Sequence, residues 1–335
     1  MMAISYPLRL ACLIAVSMGL LQVGIEVLLW MAAPGILRLV RSVTVRQRER
    51  ALYTIQLLPF AGALLSTALF IVPQYVSNET NFSPEGVGWI CLLLAAAVSL
   101  WWVARAFGGV RMAVKTMLFS RACRRGDELM TTVQGATPIV LVDGATTVAG
   151  TMRVGLVGLM RPFIFLSKSL VGDGGLTAPA LEVVLDHERS HAAERDNWKL
   201  LSLHCLPRLG LRLPGGKTWM GLWQSAAEWA ADEDAVQGNS ARALLLAESL
   251  VALARSASGR PPQIACTYFV REDNELALRV ERLIERRQDG ASLQRYRVAI
   301  AVCVACVAIV AGAAILVGSQ ASALRELPER LLHLG

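Results

Sequence analysis

The chain has 335 residues, of which 54% are hydrophobic and only 18% are charged. Soluble domains carry about 25% charged residues, so this composition points to lipid rather than to an ordinary soluble enzyme. The net charge of +7 would suit a nucleic-acid binder. However, the basic residues flank apolar segments, where they set membrane orientation. No helix-turn-helix, zinc-finger or RNA-binding signature is present, so direct nucleic acid binding is not expected. The seven cysteines are scattered and form no disulfide framework. Cys303 and Cys306 lie inside an apolar stretch and read as small packing residues.

A bilayer-crossing helix needs about 20 largely apolar residues. Residues 1–110 supply three such helices, at about 10–36, 51–76 and 87–107. The first is longer than the apolar region of a signal peptide. Arg38, Arg41, Arg46, Arg48 and Arg50 follow it at once, so it reads as a retained span with its N-terminus outside. The loop after the second span carries Glu79 and Glu85 and no Lys or Arg. Arg105, Arg111, Lys115, Arg121, Arg124 and Arg125 follow the third. A fourth span is expected at 298–318, preceded by Arg282, Arg286, Arg287, Arg295 and Arg297. The basic flanks make residues 111–297 cytoplasmic and the tail 319–335 extracytoplasmic. Two glycosylation sequons at Asn78 and Asn81 lie too close to the membrane and read as chance matches. Glu26 is the only formal charge in the first span. It is expected as a protonated acid bonding to Gln22, Gln56 or a backbone carbonyl.

The soluble segment opens on a strand-like pattern. Pro138–Val142 is a β-branched run closed by Asp143-Gly144. A second strand is expected over 146–152 and a third over Phe163–Leu166. The period then changes to that of a helix, from about Ala178 to Cys205, closed by Pro207. A second helix is expected from about Trp219 to Val236, a third from near Ala241 and a fourth from near Asp273. The fold class is α+β: four transmembrane helices, with a mainly helical cytoplasmic domain carrying a small sheet between spans three and four.

The chemistry concentrates in Leu185-Asp186-His187-Glu188-Arg189-Ser190-His191. Residues four apart share one helix face, so His187 and His191 can grip one Zn²⁺. Glu188, one position after the first His, stands beside the metal and can take a proton from its water. Only four histidines occur in the chain, and two of them take this spacing. A catalytic zinc usually has three protein ligands and one open position. The extended H-E-x-x-H-x-x-G-x-x-H form is excluded, because Glu194 and Asn197 stand where its Gly and His belong. His204 lies more than three turns further along the same expected helix. Glu228 is the best third ligand. Asp232, four residues on, shares its face and can hydrogen-bond the outer nitrogen of a ligand His. Arg195-Asp196 reads as a structural ion pair with the active-site scaffold rather than a substrate contact. The basic stretch Arg279 to Arg297 reads as a positive-inside flank rather than a self-cleavage site.

These residues resemble the BlaR/MecR-type membrane zinc metallopeptidases. The matching stretches are Gly158-Leu159-Met160-Arg161-Pro162-Phe163-Ile164-Phe165-Leu166, His187 to His191, Arg195-Asp196, and Glu228-x-x-x-Asp232, across about residues 5 to 320. The resemblance implies four spans around a gluzincin domain in a bacterial plasma membrane, with zinc on the two His and the later Glu. It also implies proteolysis of a cytoplasmic repressor of winged-helix type. The chain departs from the best-known members in having no penicillin-binding sensor after the last span. Phe163, Ile164, Phe165 and Leu166 are expected to pair with an extended substrate by β-addition. The alternatives are a quality-control protease of HtpX or CAAX-endopeptidase type, and a signalling scaffold with a structural zinc.

Overall fold

The computed structural model describes residues 2–78, 85–126, 129–130, 137–142, 153–171, 175–256, 266–268 and 273–285. Three helical segments are long and apolar enough to cross a membrane: Tyr6–Met31, Val45–Ser77 and Trp89–Arg125. The fourth expected span, 298–318, lies outside the described residues, as do the sequon at Asn81 and the tail.

A short strand β1 (Met2–Ile4) leads into α1 (Tyr6–Met31). The expected first span ran to residue 36, but the helix ends at Ala32. A separate amphipathic helix, α2 (Ala33–Arg41), begins there with Pro34 in its first turn. Proline has no N–H to continue the preceding helix and suits a helix start. Next comes α3 (Val45–Ser66), opened by a capping box in which Thr44 accepts from the Gln47 amide and the Gln47 side chain returns to Thr44. It continues through a π turn at Thr67–Ile71 into α4 (Val72–Asn78). Strand β2 (Glu85–Val87) pairs antiparallel with β1.

The third span is part of one 38-residue helix, α5 (Trp89–Gly126). At 1.5 Å per residue it is about 57 Å long, well beyond a hydrocarbon core of roughly 30 Å. The helix is therefore longer than a single crossing needs, and its basic end, from Arg111 onward, packs on Asp196–Cys205 and Ile139–Val142. Only 11% of its most apolar window is buried, and Leu93, Leu100, Val103 and Phe107 are exposed, as lipid contact requires.

The sheet has five strands in the order β3-β4-β6-β5-β7. They are β3 (Leu129–Met130), β4 (Ile139–Val142), β5 (Val154–Val157), β6 (Phe163–Ser167) and β7 (Cys266–Tyr268). The strand expected over 146–152 falls outside the described residues; β5, just after it, is the hairpin partner of β6. Gly158 makes the turn between them at φ +101°, a conformation that suits glycine.

Helices α6 (Ala178–Glu194) and α7 (Asp196–Cys205) replace the single helix expected over 178–205. Arg195 separates them in the left-handed conformation at φ 56°. Then come α8 (Trp219–Val236), α9 (Ser240–Ser256) and α10 (Asp273–Glu285). One core joins β4, β5 and β6 to α6, α8 and α9 through Ile139, Leu156, Ile164, Val184, Ala235 and Leu246. A second joins α3 to α7 and α8 through Leu52, Ile55, Leu203, Trp223 and Ala226. The alanines of α8 (Ala226, Ala227, Ala230, Ala231 and Ala235) are all buried. Their small side chains let neighbouring helices approach closely. Apolar packing thus ties the second span's helix directly to the helix that carries Glu228.

Candidate metal centre

Helix α6 carries His187, Glu188 and His191, all essentially inaccessible to solvent at 0%, 0% and 1%. The i, i+4 spacing sets the two rings edge to face, 4.8 Å apart between centroids. Their Nε2 atoms are 3.2 Å apart. Glu228 arrives from α8, with Oε2 3.5 Å from His187 Nε2 and Oε1 3.7 Å from His191 Nε2. Donor atoms bound at 2.0–2.1 Å around a tetrahedral zinc lie about 3.3 Å from one another. These distances, with a different Glu228 oxygen facing each ring, are close to that spacing, and the three residues form a group able to hold a metal ion.

The outer nitrogens are also held. His187 Nδ1 lies 3.0 Å from Asp232 Oδ1, and His191 Nδ1 lies 2.7 Å from Asp196 Oδ2. A carboxylate on Nδ1 favours the Nδ1–H tautomer and leaves the Nε2 lone pair for the ion. Asp232 takes the place expected of it. Of the Arg195-Asp196 stretch, expected to form a structural ion pair with the active-site scaffold, Asp196 does so with His191 and Lys199, whereas Arg195 faces outward. The chain reverses at Arg195, which is exposed, and Asp196 turns inward at 0% exposure. The uninterrupted helix expected there could not have delivered Asp196 to His191. The break brings His204 no closer to the metal face; it lines a cavity with Glu26 and Arg105.

A chain of charges extends from this centre to α3. Lys199 Nζ contacts Asp196 Oδ1 at 3.0 Å, Glu194 Oε2 at 3.2 Å and Glu49 Oε1 at 3.0 Å. Glu49, on α3, is fully buried and also accepts from Trp223 Nε1 at 2.8 Å. Nothing in the sequence pattern pointed to Lys199 or Glu49, because their partners lie up to 174 positions away. On the other side stands Arg279 of α10, 4% exposed. Its Nη1 is 2.9 Å from Glu228 Oε2, and its Nε and Nη2 bind the two Asp232 oxygens at 2.8 and 2.6 Å. Arg279, read from sequence as the start of a membrane-flanking basic run, is part of the site. The signal that could have found it is its place on the amphipathic pattern of α10.

The electrostatics follow from this packing. Burial raises the Glu188 pKa, opposed by the two histidines. Neither Glu188 oxygen has a hydrogen-bond partner among the described residues. Such a buried, unpaired carboxyl is costly unless a missing group completes it. Burial works against the charge of Glu228 too, but Arg279 and His191 outweigh it and hold Glu228 well below the usual carboxylate range. Burial also opposes charge on His191, yet Glu228 and Asp196 together raise its pKa. Metal binding would displace the added proton from His191, and the donor set is then two nitrogens and one ionised oxygen, which suits zinc.

The expected substrate strand is not available. β6 lies inside the sheet, parallel to β4 on one edge and antiparallel to β5 on the other. Phe163, Ile164, Phe165 and Leu166 are all buried. Its backbone groups are already paired, so an added strand has nothing to bond. The motif instead serves the scaffold. Asn197 Nδ2 donates to Leu156 O and Gly158 O, and Trp198 Nε1 donates to Leu159 O, fixing the β5–β6 turn to α7. Glu26 keeps Gln22, one of its expected partners, and adds the Leu209 amide, from which its Oε2 accepts at 2.8 Å. Compared with known proteins, the sequence matches no family model and no curated protein.

Proposed function

We propose that this chain is a membrane zinc endopeptidase of the BlaR/MecR type. In this reading it hydrolyses peptide bonds of a cytoplasmic protein, with a winged-helix repressor as the regulatory substrate. The observation that carries the reading is the convergence of His187, His191 and Glu228 beside an unpaired, buried Glu188. Two imidazoles and a carboxylate leave one corner of a tetrahedral ion open, as catalytic sites require. A structural zinc would need a fourth protein ligand. Asp232 is spent on the Nδ1 side of His187, and Glu233 pairs with Arg282. The hydrolytic reading is therefore favoured over a scaffold.

When bound, the ion supplies a Lewis acid for the peptide carbonyl and acidifies a water molecule. The chain's own residues do the rest. Asp232 and Asp196 hold the two imidazoles in one tautomer and orientation. Glu188, whose pKa is raised by burial, takes the water proton on its carboxylate and passes it to the leaving amine. Arg279 keeps Glu228 ionised and fixed.

Changing Glu188 to Gln tests this directly. The purified variant should keep one metal per chain and lose peptide hydrolysis by at least about 100-fold. Cleavage of a repressor-type substrate at the normal rate would remove Glu188 from the mechanism. Wild-type protein that retains no metal would sink the whole reading.

A further inference from the structure

A second built feature lies away from the metal centre, between α1, α3, α5 and the loop that joins α7 to α8. A cavity of about 240 Å³ opens there. Its walls are mostly apolar, formed by Leu29 of α1, Ile55 and Pro59 of α3, and Trp219 and Met220 of α8. Along α7, the cavity residue His204 stands about 12 Å from Asp196, so this space is separate from the peptidase site.

Two guanidinium groups border the cavity. Arg105, near the end of the third span, donates through Nε to Leu206 O at 3.1 Å. Arg208 donates to Gln56 Oε1 and Leu203 O. All these acceptors are neutral, and neither arginine forms a salt bridge with a carboxylate among the described residues. Glu26 is the one carboxylate on the wall, and it caps the Leu209 amide. Burial, and then repulsion from Arg105, push the Arg208 guanidinium down to about 10, against the attraction of Glu26. Two like charges thus converge, held by neutral groups, beside hydrocarbon walls continuous with helices apolar enough to cross a membrane. Basic pockets between membrane helices are suited to lipid headgroups.

We propose that this cavity binds the headgroup phosphodiester of an anionic phospholipid, with its acyl chains lying along the apolar faces of α1 and α3. The phosphodiester supplies a negative charge to two guanidinium groups that share a single wall carboxylate, Glu26. The acyl chains cover walls that inorganic phosphate would leave wet.

The test uses the full chain in neutral detergent, with lipid binding followed by native mass spectrometry. Phosphatidylglycerol is compared with phosphatidylcholine of the same acyl chains. Two arginines acting on one headgroup should favour phosphatidylglycerol by about 30-fold. The Arg105→Gln/Arg208→Gln variant should bind both lipids alike. Arg208 also ties its loop to α3 and α7, so Arg105→Gln alone serves as the milder variant and should lose about fivefold. Charge-retaining Arg105→Lys should recover most of that loss. Equal binding of the two lipids by the wild type would overturn the proposal, as would a preference unchanged in Arg105→Gln. Displacement of phosphatidylglycerol by millimolar inorganic phosphate would mark a free-phosphate site instead. Displacement by an equal amount of myristate would mark a fatty-acid site. Either displacement refutes the phospholipid.

Discussion

Asp196→Asn isolates the support of one metal ligand while keeping its shape. In the native site the buried Asp196 carboxylate receives His191 Nδ1–H at 2.7 Å and Lys199 at 3.0 Å. Hydrogen bonds to charged groups contribute roughly 1.5–3 kcal/mol, and neutral ones about 0.5–1.5. The amide replacement should therefore weaken support of the imidazole by about 1–1.5 kcal/mol, or roughly tenfold in metal affinity, the low end of the range for outer-shell partners. The assay is a competitive zinc titration of the full chain in detergent against a chromogenic chelator. Glu49→Gln should produce a smaller loss, of about threefold, through Lys199. In a Lys199→Met background it should produce none, because the path from α3 to His191 is already cut. Unchanged affinity in Asp196→Asn would refute the argument that this carboxylate tunes the ligand. Losses from Glu49→Gln and Lys199→Met that simply add would refute the path from the second span.

Arg279→Met strips the cation from the buried Glu228 and Asp232 carboxylates. It should destabilise the metal-free protein by about 3–5 kcal/mol, with added zinc restoring a larger share than it adds to the wild type; thermal melts with and without zinc check this, and equal zinc increments would contradict it. Gly109→Ala places a methyl 2.1 Å from Cys205 Sγ, where α5 crosses α7. It should cost about 1–3 kcal/mol, and a second change, Cys205→Ala, should recover most of the loss in the same melts. Glu194 is held below its ordinary pKa: burial opposes its charge, but Arg50 and Lys199 outweigh it. Its contribution is therefore present above the ordinary carboxylate range and disappears as pH falls through the lowered value. Glu194→Gln should cost up to about 1 kcal/mol at neutral pH and nothing in strong acid. A gap between the two melting curves that persists in acid would overturn this assignment.

Some of this protein is written in local sequence, because the physics behind it is local. Apolar runs long enough to cross hydrocarbon need no partner to be recognised, and the three described ones are helices of that kind. The spacing of His187 and His191 puts two rings on one face through the helical repeat alone. The bounds of α8, from Trp219 to the left-handed Gln237 before Gly238, follow from periodicity and a stop signal. The pairing of Asp232 with His187 follows from the same four-residue step that links Glu228 to Asp232.

Other features are decided only when distant segments meet. The break at Arg195 turns Asp196 onto His191, and continuous helical periodicity across that point gave no sign of it. Whether Phe163–Leu166 is an edge or an inner strand depends on which strands lie on either side, and β4 and β5 occupy both edges. Glu49, Lys199 and Arg279 are unremarkable charges in sequence. They become part of the site because burial removes water from around them and leaves only each other as partners. A charge pattern along a chain records spacing; the pairing energy depends on desolvation and separation in space, which exist only once α3, α7, α8 and α10 are packed together.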